Sequence, residues 1–107
     1  MEDETKLPKF IEELNNGNMK VTTKDGVFEL MEAEFDKIKK MSKRCEGSET
    51  EGLISLMIIT VDGVDKKVNE EEIGKLKGSS VLKLNKGITL LMDVGTTDEL
   101  FWRRGKK

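Results

Sequence analysis

The sequence predicts an α+β fold, mostly helical, in which a short N-terminal helix and a β-hairpin pack on a small bundle of about four helices. Three observations predict it. Asp25-Gly26 divides two runs of alternating apolar residues, apolar residues recur at helical spacing from Phe35 onward, and Asn69 and Ser79-Ser80 stand as caps before further apolar stripes. A chain of 107 residues suits one domain, expected over 7–94. It would follow a disordered polar stretch, 1–6, and precede a flexible basic and aromatic tail, 95–107.

The elements are justified in order. Leu7, Phe10, Ile11 and Leu14 are spaced i, i+3, i+4, i+7, one stripe of a helix that tolerates Pro8 in its first turn. Asn15-Asn16-Gly17-Asn18 then stops it. Met19–Lys24 and Val27–Met31 flank Asp25-Gly26, a pair suited to a two-residue type I′ turn. That loop pairs Thr23 with Phe28 and Val21 with Leu30, placing Met19, Val21, Thr23, Phe28 and Leu30 on one face. Glu32–Glu46 reads as an amphipathic helix with Phe35, Ile38, Met41 and Cys45 on its inner stripe. Thr50–Val61 is apolar almost all round, so periodicity leaves helix and strand open. Ser48 and the acids that follow decide for helix, against the β-branched Ile58-Ile59-Thr60-Val61 and Asp62-Gly63, which argue for strand. Asp62–Val68 reads as a polar loop, and Asn69 caps a short helix, Glu70–Lys77. Ser79 or Ser80 caps a last helix through about Asp93, with Val81, Leu84, Ile88 and Leu91 inward and Leu82 and Met92 widening the stripe. Gly87 inside it costs about 1 kcal/mol relative to Ala in an exposed helix.

Composition narrows the chemistry. The chain holds 19 basic and 21 acidic residues for a net charge of −2, and its 37% charged content exceeds the roughly 25% usual in soluble domains. It has no His and no Tyr. Imidazole bases, Ser-His or Cys-His nucleophiles and His-containing zinc sites are therefore excluded. Cys45 alone makes neither an intramolecular disulfide nor a thiolate cluster. No apolar run approaches the length of a membrane span, and the acidic start does not resemble a signal peptide. The expectation is a soluble cytoplasmic protein, not secreted, with no catalytic residues, cofactor or metal.

Several motifs carry less than they suggest. Asp62-Gly63-Val64-Asp65 lacks the EF-hand spacing, with Gly at the second position instead of the sixth, and reads as a turn. In Gly74–Ser80 the second Gly precedes Ser, not Lys, so the phosphate-loop pattern fails. Lys37–Arg44 reads first as a solvated helix face and second as a phosphate-contacting patch, and Cys45 as a small buried hydrophobe. The candidate partner-binding residues are Leu7, Phe10, Ile11 and Leu14 on the short helix and Phe101, Trp102, Arg103 and Arg104 in the tail. Phe101 and Trp102 have a second reading, in which they fold back to cover the chain's own core.

One pattern of order extends beyond single motifs. A hairpin leads into Phe28-Glu29-Leu30-Met31-Glu32-Ala33-Glu34-Phe35-Asp36-Lys37-Ile38, then a helix and an all-apolar segment. Val68-Asn69-Glu70-Glu71-Glu72-Ile73-Gly74-Lys75-Leu76 and Ser79-Ser80-Val81-Leu82-Lys83-Leu84 follow. Over about residues 19–93 this resembles the small tail assembly chaperones of tailed phages and prophages. There a strand pair precedes helices, a capped EE-x-x-x-L turn and an S-x-V-L-K-L helix. The extra N-terminal helix and the Gly-interrupted last helix depart from that pattern.

The resemblance implies a non-enzymatic protein that binds a tape-measure or tail tube protein and keeps it soluble until the tube polymerises. It supplies no catalytic residue to carry over. A homo-oligomer is compatible with it, while a membrane role is not expected and nucleic acid is disfavoured by the net charge. Two other classes stay open at this point. One is a virion structural or adaptor protein of the tail, and the other a small nucleic-acid-binding regulator using Lys37–Arg44 and the basic tail.

Overall fold

In the computed structural model, which describes residues 7–92, the middle of the chain is a hairpin as the alternation predicts. Strand β2 (Met19–Thr23) runs antiparallel to β3 (Gly26–Leu30), with Met19, Val21, Phe28 and Leu30 buried on one face. The register differs from the predicted one. Val21 pairs with Phe28 and Thr23 with Gly26, so the turn is Lys24-Asp25 and Gly26 is the first residue of β3. Side chains alternate with a period of two, so this two-residue slip leaves both faces as predicted.

The N-terminal helix does not form. Leu7–Asn15 turns at Pro8, whose carbonyl accepts from Ile11 N–H, and then extends as β1 (Ile11–Glu13) beside β2. A nine-residue helix is marginal in isolation, and the edge of β2 offers backbone hydrogen bonds that the helix would have to forgo. Leu14–Asn18 closes the turn, with Leu14 N–H donating to Asn18 O at 2.8 Å.

The apolar stretch after α1 (Phe35–Arg44), expected to be helix throughout, is helix first and then strand. Helix α2 (Glu49–Met57) passes without a loop into β4 (Ile58–Val61), which pairs with β3. The β-branched run is the strand. Asp62-Gly63, read as part of a loop, joins β4 to β5 (Val64–Asp65) as a second tight hairpin. The sheet is therefore a five-stranded antiparallel meander in the order β1-β2-β3-β4-β5. This corrects the expected architecture: helices cover a sheet, and the protein is not a mostly helical bundle.

The remaining helices are α3 (Glu70–Gly74) and α4 (Gly78–Met92). Asn69 caps α3 as predicted. Its side chain accepts from Glu72 N–H while the Glu72 carboxylate accepts from Asn69 N–H, a reciprocal capping box. Neither Ser79 nor Ser80 caps α4. Instead Asp25, from the β2–β3 turn, places Oδ2 where Lys77 N–H (2.9 Å) and Ser80 O–H (2.7 Å) donate to it. A carboxylate at a helix N-terminus also suits the helix dipole.

Helix α4 lies along β2, and Gly87 is the point of closest approach. A Cβ there would stand 2.6 Å from Val21 Cγ2 and 3.2 Å from Leu30 Cδ1. What reads as a weak helix residue is the condition for seating the helix on the sheet. Leu84, Ile88 and Leu91 join Val21, Leu30, Ile54, Met57 and Ile73 in one core. The opposite sheet face is polar. Glu12, Lys20, Glu29, Thr60 and Asp65 stand in register across all five strands.

Candidate protein-binding groove

The groove forms where three chain segments meet at the Leu30–Ile58 end of the sheet. Beyond Leu30 the chain leaves β3 through Met31–Glu34, and Met31 N–H donates to Met57 O at 2.9 Å. That bond ties the departing segment to the α2–β4 junction. Phe28 pairs with Val61 and Glu29 with Thr60, but Leu30 pairs with Ile58, so Ile59 is an extra residue on β4. Bulges of this kind re-aim side chains at sheet margins. Lys66 N–H donates to Ile59 O at 3.2 Å and brings the chain after β5 alongside.

The result is an open groove of about 810 Å³. Met31, Ala33, Leu56, Ile58 and Ile59 give it apolar walls, and Glu32, Glu34, Lys37, Asp65, Lys66 and Lys67 surround them with charges of both signs. An apolar centre with a charged rim is the anatomy of a protein interface. Large apolar side chains continue from it along the sequence. Met31 is 49% exposed and Val64 66%, and Phe35, expected on the inner stripe of its helix, is 72% exposed because it stands at the first position of α1.

A second, smaller depression of about 420 Å³ lies among α2, α3 and α4. Ile73, Leu76, Val81 and Leu82 line it with Thr50 and Glu51. Gly74 and Gly78 open its wall, since a Cβ at either position would meet nothing within 4 Å. Leu82, expected to widen the inner stripe of α4, is 71% exposed at its rim.

The sequence-predicted candidates lie elsewhere. Ile11 is buried in the core, Leu7 and Phe10 are half-buried against it, and Leu14 is half-buried beside the β1–β2 turn. Lys83 Nζ sits 5.3 Å from the centre of the Phe10 ring, a cation–π distance. Phe101, Trp102, Arg103 and Arg104 lie outside the described residues, as do 1–6 and the expected end of the last helix at Asp93. No single segment announces the groove, because Met31, Leu56 and Ile59 converge only on folding. The available signals were Met31 just beyond the hairpin and the β-branched Ile58-Ile59.

Three basic side chains of α1 have partners. Lys40 Nζ is 3.4 Å from Asp36 Oδ2, Lys39 Nζ is 5.3 Å from the Phe35 ring centre, and Arg44 Nη2 is 3.0 Å from Glu70 Oε2. The Arg44 hydrogen bond holds the Glu70 carboxyl below its ordinary value. Burial pushes the Cys45 thiol up, which keeps it protonated and a poor nucleophile. Among the described residues no group of three or more His, Cys, Asp or Glu is placed to hold a metal ion. Among the same residues no helix is long and apolar enough to cross a membrane. No protein-family model, curated protein or solved structure matches this chain.

Proposed function

We propose that this is a non-catalytic protein that holds another polypeptide. Its client would be the tape-measure or tail tube protein of a phage or prophage, kept soluble during tail assembly. The observation that carries the binding reading is the groove, with Met31, Leu56 and Ile59 framed by charges of both signs. Phe35, which follows the lining residue Glu34 in the chain, is a further exposed apolar side chain. Met31 adds an adaptable side chain of the kind enriched on surfaces that accept varied partners. The choice of client rests on the sequence resemblance over about residues 19–93.

The test is co-expression of the chain with a tape-measure protein and, separately, with a tail tube protein from the same replicon. A soluble complex that co-purifies with one of them is expected, and the double variant Met31→Glu, Phe35→Glu should lose it while keeping the wild-type circular dichroism. Both residues are exposed, so the fold tolerates the change. Capture of neither protein sinks the chaperone reading. A copy retained in purified virions would make this a structural component instead.

A further inference from the structure

The depression among α2, α3 and α4 has a candidate occupant in the same chain. We propose that Phe101 and Trp102 seat there, covering Leu76, Val81 and Leu82. Reach permits it. Leu82 lies ten residues back along α4 from Met92, about 15 Å at the helical rise. The eight residues from 93 to 100 span about 26 Å when extended, enough to return to Leu82 with chain to spare.

Charge matches as well as length. The segment reads Asp98-Glu99, then Leu100-Phe101-Trp102, then Arg103-Arg104, an apolar centre between acids and bases. Among the residues that line the depression Glu51, on the α2 side, carries the one charge. Glu51 is a partner of the right sign for the arginines that follow the aromatic pair. Gly74 and Gly78 add no side chain to the wall, and nothing stands within 4 Å of either Cβ position. Two aromatic rings bury more apolar area than any other pair of side chains this segment offers.

The chain has one Trp and no Tyr, so its tryptophan fluorescence reports Trp102 alone. For the full-length protein we expect blue-shifted emission and weak acrylamide quenching, both unchanged on hundredfold dilution. Leu82→Glu should red-shift the emission and raise the quenching constant severalfold with circular dichroism unchanged, since Leu82 is a rim residue. Reversing Arg103 and Arg104 to Glu should move the emission the same way. Solvent-like emission in the wild type, or a Leu82→Glu spectrum identical to it, overturns the proposal. A blue shift that disappears on dilution overturns it too, in favour of a second copy as the occupant.

Discussion

Two Asp-Gly pairs reverse the chain at the same end of the sheet, and they do so differently. At Asp62-Gly63 both residues have positive φ, 53° and 83°, and the pair is itself the two-residue turn between Val61 and Val64. At Asp25-Gly26 only the glycine has positive φ, 134°, and it pairs with Thr23 inside the ladder. The aspartates also differ in partner. Asp62 Oδ1 accepts from Val27 N–H at 2.9 Å, beside the other turn, whereas Asp25 serves the start of α4 more than fifty residues later. The dipeptide therefore marks a reversal without fixing its register. Both aspartates reach donors far along the chain, but of the two glycines Gly63 alone stands in its loop.

This contrast can be broken by substitution. The largest effect is expected at Gly26→Ala, about 2 kcal/mol, because φ of 134° strains an L-residue and its Cβ would stand 3.2 Å from Asp62 Oδ1. Urea denaturation reads it as a lower midpoint at constant slope. Next comes Asp25→Asn. The Ser80 hydroxyl, and after it Lys77 N–H, hold the Asp25 carboxyl below its ordinary value of 3.8. The contribution is therefore complete above that ordinary value and is lost as pH falls through the lower folded value. Wild-type melting temperature should drop across that acid window, and the variant should begin lower at neutral pH and show a shallower acid decline.

At the other turn the effects shrink. Gly63→Ala should cost about 1 kcal/mol, since its φ is left-handed but the space around it is open. Asp62→Asn should stay within about 0.5 kcal/mol, because Asn tolerates positive φ and its amide oxygen can still accept from Val27 N–H. If Gly63→Ala proved as costly as Gly26→Ala, the distinction between a turn glycine and a ladder glycine would fail.

The same contrast explains how much of the fold was legible. Hairpin faces, the Asn69 cap and the helices around Phe35–Arg44 and Gly78–Met92 follow from local pattern, because each is settled within a few residues. The N-terminal stripe of Leu7, Phe10, Ile11 and Leu14 satisfied a helical template, yet the edge of β2 took the segment. Nothing in Leu53–Val61 marks the boundary at Met57, since no Gly or Pro interrupts an apolar run whose two halves serve different elements. Gly87 was read as a cost because its neighbour, Val21, is sixty-six positions away. The groove was illegible for a related reason. Its walls come from Met31–Lys37, Leu56–Ile59 and Asp65–Lys67, and only the strand order brings them together.

The direct passage from Met57 to Ile58 has a mechanical consequence. The helical excursion of α1 and α2 is attached to the sheet at both ends, but only one attachment is a linker. At the exit, helix becomes strand with no intervening residue, and Ile58 N–H still donates to Ile54 O while Ile58 itself pairs with Leu30. Rotation there would break hydrogen bonds on both sides of one peptide. The other attachment, Met31–Glu34, is one wall of the groove and is held to the same junction by Met31 N–H donating to Met57 O. The groove thus has both walls fastened at one point, where a helix ends and a strand begins.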